Sequence, residues 1–318
     1  MTNWGRWGRD DERGAANLLN PAAVLAAAAE VRTGEVLRLA APIVGGRGFG
    51  LVGRPDPVHL MLRDGGDYVA GLPERGGFGF ADDMLTLPTH GVSHMDALSH
   101  VWRDGLMYNG NPASSVTSRG ARKLGIEKIP PIVTRGVFVD AAPGGARTAA
   151  DPIRIGELQT LLAEAGADLR AGDALLVRTG WLSASRTGEA DASAWGGLHF
   201  DCGAWLAERQ VVVIGADNPG VEVFPSGDPG CQVPMHLELI RGHGVLFSEL
   251  LDLEPLATAG RATFLFVVAP LPLVGGVGSP VVPVAILLRE RHETRDRRGS
   301  LPRACHVPHV CARPRGIG

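Results

Sequence analysis

Short runs of β-branched and aliphatic residues recur along this sequence, and Gly, Pro or Asp bounds each of them. Runs of this length between structure-breaking residues are typical of buried β-strands. We therefore predict strands over Val36–Ile43, Ile132–Val139, Ala174–Arg178, Val211–Ile214, Thr263–Val268 and Val281–Leu288. A chain that must bury this many strands has to fold around a β-sheet.

Predicted helices separate several of these strands. Asn20 as a cap, Pro21 in the first turn, an alanine-rich stretch to Val31 and Gly34 just beyond it indicate an N-terminal helix. The other predicted helices are Ile155–Ala165, closed by Gly166, Cys202–Gln210, capped by Asp201, and Met235–Gly242. Because helices and strands do not alternate strictly, we predict an α/β fold with a mixed parallel and antiparallel sheet. No GxGxxG or P-loop motif follows a strand, which argues against a nucleotide-binding fold.

The composition is that of an ordinary globular protein, since 45% of the 318 residues are hydrophobic, 20% are charged and the formal net charge is −3. This balance gives no indication of a nucleic-acid partner. The polar N-terminus and the lack of an apolar stretch of about 18 residues predict neither a secretory signal nor a membrane span, so we expect a cytoplasmic protein with no membrane partner. The cysteines form no CxxC pair, which predicts free thiols in a reducing compartment. They are Cys202, Cys231, Cys305 and Cys311.

The composition changes abruptly at about residue 289, where arginines and prolines become frequent and apolar periodicity ends. We predict one domain over residues 1–288 and a disordered tail over residues 289–318. Cys305, His306, His309 and Cys311 could be drawn as a metal cluster in this tail. Their spacing matches no known zinc module, so we interpret them as part of an unstructured segment.

The segment LPTHGVSHMDALSH brings His90, His94, Asp96 and His100 within eleven residues. An even spread of the ten histidines of the chain would put fewer than one in such a window, and three are present. Neutral imidazoles with a carboxylate suit Zn²⁺, Mn²⁺ or Fe²⁺ and leave positions open for water and substrate. The cluster therefore predicts a catalytic metal site.

This segment is not the HExxH motif of metalloproteases, because Gly91 stands where that motif has its glutamate base. The base must come from elsewhere, and His100 is the nearest candidate. The step from His90 to His94 would suit one face of a helix, but the residues between them are poor helix formers. A strand end that turns into a short helix fits equally well.

A second group of polar residues lies further along the chain. His236 precedes an apolar helix, and Glu249 ends the strand-like run from Val245 to Phe247. Taken alone, Glu249 has the ordinary interpretation of a solvated charge at the boundary of an element. Glu238 and His243 have the same interpretation on a helix surface.

The block HGVSHMDALSH resembles the HxGTHxDxPxH signature of the cyclase family, which includes bacterial kynurenine formamidase and isatin hydrolase. It is most similar to the longer bacterial branch, which has HxGTHxDALxH. Val92 and Ser93 stand where the signature has Gly-Thr, and Leu98 stands where the shorter enzymes have proline. Other family-like blocks occur in the expected order between Trp4 and Leu288. They include RGAANLLNP, HLMLRDGGDY, DGLMYNG, TRGVFVD, GDALLVRTGW, ADNPGVEVFP and PLPLVGGVGSPVVPVAIL.

The resemblance implies a swivelling β/β/α fold, in which a mixed sheet rolls into a partial barrel flanked by helices. It implies assembly into homodimers or homotetramers. It also implies that His90, His94 and Asp96 bind one or two divalent metal ions, Zn or Mn.

The resemblance further implies that His100 is catalytic or a ligand of a second metal, and that His236 and Glu249 are downstream active-site residues. We expect a metal-dependent hydrolase that opens an amide, lactam or lactone bond of a small carbonyl compound with metal-activated water. His100 or Glu249 would move the proton, and His100 or His236 would protonate the leaving group.

Two alternatives stay open at this point. A cyclase or dehydratase of a biosynthetic pathway would use the same metal site, because ring opening and ring closing share a transition state. A catalytically silent metal-binding homologue is the other alternative, with Val92 as the change that removed activity.

Overall fold

The computed structural model describes residues 2–29, 31–74 and 76–288 of the chain. The strands are β1 (Val31–Arg38), β2 (Val58–Arg63), β3 (Asp82–Thr86), β4 (His94–Asp96), β5 (Val116–Thr117), β6 (Gly120–Ala121), β7 (Ile132–Asp140), β8 (Ala174–Arg178), β9 (Val213–Ala216), β10 (Leu246–Glu249), β11 (Thr263–Val268), β12 (Gly278–Pro280) and β13 (Val284–Leu288). The α-helices are α1 (Pro21–Ala29), α2 (Gly65–Val69), α3 (Ile155–Glu164), α4 (Trp181–Thr187), α5 (Cys202–Glu208) and α6 (Glu254–Ala259). A π-helix spans His236–Arg241, and 3₁₀ helices cover Gly14–Leu18, Tyr108–Gly110, Ala113–Ser115 and Ile126–Lys128.

Nine of these strands form one mixed sheet in the order β1-β13-β11-β7-β8-β9-β10-β4-β12. The strands from β7 to β10 are parallel, and antiparallel pairs flank them on both sides. The sheet curls into a partial barrel that helices flank. The predicted α/β architecture with a mixed sheet is therefore confirmed.

The core lies along the parallel strands. β8 and β9 are buried over nearly their whole length, as parallel strands with covered faces are. Leu158 and Leu162 of α3 are buried, and α3 packs against β7 and α5. β10 and β4 continue this buried region toward the end of the sheet, so polar side chains on those two strands are enclosed by the core.

The N-terminal helix is shorter than predicted. It ends at Ala29, whereas the prediction extended it to Val31. Val31 instead begins β1 and pairs with Leu288 of β13. Strand pairing gives its backbone groups hydrogen-bond partners and suits a β-branched residue. Gly34 has a φ of +73° at an irregularity in that pairing, so it allows a bulge within a strand and does not end the helix. The strand predicted from residue 36 therefore starts earlier and stops at residue 38.

The two predicted helix caps have different outcomes. Asn20 is confirmed as a cap, since its Oδ1 accepts a hydrogen bond from the backbone N–H of Ala23 at 2.9 Å. Asp201 does not cap its own helix α5. Its Oδ1 accepts the backbone N–H of Ile155, the first residue of α3, at 3.1 Å. The carboxylate thus links two helices that pack together.

The other predicted elements are confirmed with small shifts, as β7, β8, β9, β11, β13, α3, α5 and the π-helix. β9 and β13 begin at Val213 and Val284, later than predicted. Val211 and Val281 are buried but lie outside the strands. The prediction therefore started both strands too early, because it relied only on the apolar character of these residues.

A hairpin made of β2 and β3 is absent from the predicted elements. These two strands pair only with each other within the described part of the chain, and α2 lies between them. We call residues 58–74 and 76–86 the hairpin arm. Every residue of β3 and all but the last residue of β2 are exposed, so the arm has no buried face to produce an alternating sequence pattern.

Several predictions concern features outside the sheet. None of the helices within the three described ranges has both the length and the apolarity that a bilayer crossing requires. Cys202 and Cys231 are free thiols, as expected. The predicted tail at 289–318, with Cys305 and Cys311, lies outside the described residues, and the single domain over residues 1–288 stays a prediction.

Close packing in the sheet gives a test of the fold. Gly136 of β7 lies opposite Phe264 of β11, and a Cβ at Gly136 would overlap the Phe264 ring. We predict that Gly136→Ala lowers the free energy of unfolding by about 1–3 kcal/mol, the usual cost of overpacking a core. Gly144→Ala is the matched control, because a Cβ there meets no atom. Urea unfolding of both variants measures the difference, and equal midpoints would contradict this packing.

Candidate metal centre

β4 places alternate side chains on opposite faces of the sheet. His94 and Asp96 point to one face, whereas Met95 between them points to the other and is fully buried in the apolar core. The period of two in the short sequence His-Met-Asp therefore brings an imidazole and a carboxylate together, with His94 Nε2 3.4 Å from Asp96 Oδ1. Neither interpretation of this segment holds in full, because residues 90–93 form a turn without a helix, and this turn leads into the strand.

The neighbouring strand β10 adds a second carboxylate on the same face. Glu249 is the cross-strand partner of His94, so the two side chains lie side by side. Glu249 Oε2 is 3.3 Å from His94 Nε2. Glu249 is buried and only 2% exposed, so its interpretation as a solvated boundary charge is wrong.

His90 reaches the same face from the turn that precedes β4. Its Nε2 is 3.3 Å from Asp96 Oδ1, and its ring stacks on His100 with 4.2 Å between centroids. The guanidinium of Arg54 donates to the carbonyl oxygen of His90 at 2.5 Å. Gly278 of β12 faces the His90 ring, and a Cβ at this position would overlap that ring. Both contacts keep the His90 ring directed at Asp96.

His236 enters from the first residue of the π-helix. Its Nε2 lies 3.4 Å from Glu249 Oε1 and 3.8 Å from Asp96 Oδ2. Its Nδ1 is 2.5 Å from Oε1 of Glu222, which also accepts the backbone N–H of His236. Burial lowers the pKa of His236, but the hydrogen bond with Glu222 and the nearby carboxylate of Glu249 outweigh it and raise the pKa well above its usual value. Glu222 thus holds the imidazole with Nε2 facing the centre.

The backbone next to each of the two glutamates is strained. Val221 precedes Glu222 with a φ of +59°, and Leu250 follows Glu249 with a φ of +55°, a region that bulky L residues rarely adopt. Asn218 stabilises both, because its side chain accepts the Val221 N–H at 2.7 Å and its carbonyl accepts the Leu250 N–H at 3.1 Å. Strain of this kind concentrates at functional sites.

The structure thus brings together all six side chains singled out in the sequence: His90, His94, Asp96, His100, His236 and Glu249. Two overlapping sets could each hold a cation, His90/His94/Asp96 and Asp96/His100/His236, with ligand atoms within 4.8 Å of one another. Their individual roles stay predictions. Glu238 and His243 pair with each other instead, at 3.4 Å.

Five ligand-type atoms at this centre are buried and have no hydrogen-bond partner among the described residues. They are His90 Nε2, His94 Nε2, both carboxylate oxygens of Asp96 and Glu249 Oε1. Leaving a buried polar atom unpaired costs about 1–3 kcal/mol, and more for a charged group. The four atoms that belong to His90, His94 and Asp96 lie in one candidate cation set, so a divalent cation bound there would satisfy several of them together.

The electrostatics of the centre favour positive charge. Burial lowers the pKa of His94, but the nearby carboxylates of Asp96 and Glu249 outweigh it and raise the pKa to about 9. Burial raises the pKa of Asp96 and of Glu249, yet the surrounding histidines hold both below their usual values. Two anionic carboxylates therefore face one buried space, which attracts a cation.

His100 behaves differently from the other histidines. Burial is the largest influence on its pKa, and together with the nearby His90 and His236 it outweighs the attraction of Asp96 and lowers the pKa to about 4. The ring is therefore neutral at neutral pH. No described residue hydrogen-bonds to its ring nitrogens, so His100 is free to exchange a proton with a bound molecule.

The two departures from the family signature have local explanations. Val92 does not have a positive φ, so the backbone at this position does not require glycine. Its carbonyl accepts a hydrogen bond from His94 Nδ1 at 2.8 Å, which directs His94 Nε2 to the centre. Ser93 donates to the Leu250 carbonyl at 2.6 Å and accepts the Ala41 N–H at 2.9 Å, as any hydroxyl side chain could.

Glu222, Arg54 and Gly278 were not identified from the sequence. Of these three, only Glu222 could have been identified from the sequence. A glutamate between two valines in ADNPGVEVFP suggests a buried carboxylate, and a buried carboxylate needs a partner. Arg54 and Gly278 act through the fold, far from His90 in sequence.

We predict that Gly278→Ala weakens metal binding about 10- to 100-fold, the range typical of changes to groups that orient a ligand. The added Cβ displaces His90 and leaves β12 otherwise intact. Titration calorimetry with Zn²⁺ and Mn²⁺ measures the effect. Gly156→Ala, where a Cβ meets no atom, is the control. Unchanged affinity in Gly278→Ala would show that His90 is not a ligand.

Comparisons with known proteins identify the family and the fold. The Cyclase family model matches residues 16–223. A crystal structure described as a novel cyclase is 35% identical, with a TM-score of 0.82 over 90% of this chain and 100% of its own. No match was found among curated proteins.

Isatin hydrolases share the fold at lower identity. Isatin hydrolase A from Ralstonia solanacearum is 20% identical, with a TM-score of 0.59 over 83% of this chain and 94% of its own. An isatin hydrolase bound to the product analogue thioisatinate is 20% identical, with a TM-score of 0.60 over 85% of this chain and 100% of its own. The resemblance found in the sequence and the fold it implied are thus confirmed, and the chain belongs to the cyclase family.

Proposed function

We propose that this protein is a metal-dependent hydrolase that opens an amide, lactam or lactone bond of a small carbonyl compound. The observation that carries the proposal is the set of buried, unpartnered ligand atoms on His90, His94 and Asp96 beside a neutral histidine. A structural metal site would be closed by its ligands, whereas hydrolysis needs a proton-transfer group next to the cation. His100 supplies that group.

His90, His94 and Asp96 would hold the cation. Their imidazole nitrogens and carboxylate oxygens suit Zn²⁺ or Mn²⁺, and no cysteine takes part. The set formed by Asp96, His100 and His236 offers a place for a second ion. When bound, a divalent cation polarises a carbonyl group and lowers the pKa of water toward about 7.

The remaining residues move protons. Glu249 is anionic and lies within 3.4 Å of both His94 and His236, so it can accept a proton released during attack on the carbonyl. His236 is held by Glu222 and can pass a proton to the leaving group from Nε2. His100 is neutral, so it can accept the proton released during attack and, once protonated, deliver it to the leaving group.

The family and the fold support small carbonyl compounds as substrates. Isatin hydrolases have the same fold, so isatin is the first compound to test. N-formylkynurenine and simple lactones extend the test to open-chain amides and to esters. Incubation of the protein with the ring-opened acids tests for ring closure, the reverse reaction, which would use the same residues.

The test combines metal analysis with hydrolysis assays on protein purified without chelators. We predict one or two equivalents of Zn or Mn, loss of hydrolysis after chelation and recovery when the metal is restored. His94→Ala should bind metal more than about 100-fold more weakly, since it removes a ligand and not only an orienting group. His243→Ala is the control, because His243 pairs with Glu238 outside the centre.

The outcomes separate the alternatives. Stoichiometric metal without turnover of any of these compounds in either direction would favour a silent homologue. No metal in the parent protein, even after incubation with Zn²⁺ and Mn²⁺, would overturn the proposal.

A further inference from the structure

The N-terminal segment, residues 2–18, lies against the end of the π-helix that carries His236. The last carbonyl groups of a helix have no partner within it and need donors from elsewhere. The carbonyl oxygens of residues 241–244 all accept hydrogen bonds from this segment. The donors are the indole Nε1–H of Trp4 to Arg241 (2.8 Å), the backbone N–H of Asn3 to Gly242 (3.0 Å), the Asn3 side-chain amide to His243 (2.9 Å) and the backbone N–H of Ala15 to Gly244 (2.8 Å). The segment therefore holds the end of this helix in place.

Arg241, the last residue of the π-helix, connects the helix to another part of the site. Its Nε donates to the carbonyl oxygen of Leu106 at 2.7 Å, and its Nη2 donates to that of Arg103 at 3.4 Å. Its guanidinium also lies over the Trp4 ring, 4.8 Å from the centroid, as in a cation–π contact. Backbone hydrogen bonds in both directions close the turn between Arg103 and Leu106, at 3.1 and 3.0 Å. Arg241 is therefore bonded to a closed turn on one side and to the N-terminal segment on the other.

The turn that Arg241 holds follows directly on the loop that carries His100. His100 and His236 belong with Asp96 to the second candidate cation set. Their ring centroids are 6.2 Å apart, and among the described residues neither ring hydrogen-bonds to the other. The backbone elements that carry the two histidines must therefore set their separation.

We propose that Arg241, held against Trp4, is a positioning residue that sets the separation of His236 and His100 and thereby completes the second cation set. The inference rests on the proposed metal-dependent function. The π-helix is six residues long, with His236 at its start and Arg241 at its end, so a shift of Arg241 moves His236 as well. The same guanidinium fixes the turn after His100. Arg241 thus governs the position of both histidines without contacting either ring.

The charge of Arg241 acts in the opposite direction to its positioning role. A guanidinium near the centre repels a cation, so its removal would strengthen cation binding if charge were its main influence. Its removal would weaken cation binding if geometry were its main influence. Because the two effects have opposite signs, metal affinity distinguishes positioning from electrostatics.

The experiment titrates metal-free protein with Mn²⁺ in a calorimeter. The parent should bind two equivalents, and His236→Ala, which removes a ligand of the second set, identifies the second binding event. Arg241→Met keeps the apolar stem but removes the donors. It should weaken that second event about 10- to 100-fold, the range for changes to groups that orient a ligand, and leave the other event nearly unchanged.

Electron paramagnetic resonance gives an independent readout on the same samples. Two Mn²⁺ ions in a two-metal site are about 3.5–4 Å apart, so they couple magnetically, whereas a single ion gives an uncoupled signal. At equal Mn²⁺ concentration the parent should show the coupled spectrum, and Arg241→Met should show mainly the uncoupled one.

Trp4→Leu tests the contact from its other side. It removes the ring over Arg241 and the indole donor, so it should weaken the same binding event. Because Trp4 and Arg241 act as one unit, the double variant should bind the second ion about as Arg241→Met does. Arg209→Met is the matched control, because Arg209 lies over the Trp205 ring at 5.1 Å and has no described side-chain hydrogen bond to the π-helix or the turn.

The outcomes separate this inference from the proposed function. A parent protein without metal would overturn the proposed function itself. A parent with one equivalent, an Arg241→Met variant that weakens both ions equally, or one that binds the second ion as the parent does would overturn this inference alone. Urea unfolding of the metal-free proteins shows whether each variant is folded, and if Arg241→Met is not, Trp4→Leu decides the question by the same criteria.

Discussion

Two buried carboxylates, Asp96 on β4 and Glu249 on β10, face the same small space at the end of the sheet, and the rest of the site depends on this repulsive pair. Like charges in an apolar interior are stable only when something positive lies between them. The three nearest imidazole nitrogens partly meet that need, and a divalent cation would meet it fully. Glu222 holds the imidazole of His236 in place, and the close approach of Gly278 does the same for His90.

The sheet explains how the fold can hold two buried carboxylates close together although they repel each other. β4 is only three residues long, but it lies between β10 and β12, so its backbone is paired on both sides. The strained residues Val221 and Leu250 are the chain neighbours of Glu222 and Glu249. Asn218 accepts a hydrogen bond from the backbone N–H of each strained residue. A rigid core thereby supports a site that is unfavourable by itself.

Many of the strands and the histidine cluster of the metal centre could be predicted from the sequence. The buried strands were visible because parallel strands with covered faces form continuous apolar runs, as in β8 and β9. The histidine cluster was visible because its members are close along the chain. Glu222 and Arg54 were not found, since their contacts with His236 and His90 depend on the folded chain. The hairpin arm was not found either, because it buries no face within its own chain and so lacks a periodic pattern.

The central claim is that a divalent cation occupies the space between Asp96 and the histidines. Anomalous X-ray diffraction from crystals grown with Mn²⁺ tests it most directly, because the anomalous signal locates manganese without reference to the protein. We predict a peak within coordination distance, about 2.0–2.2 Å, of His90 Nε2, His94 Nε2 and an oxygen of Asp96. Crystals that bind Mn²⁺ only elsewhere, with these side chains hydrogen-bonded to one another, would contradict the account.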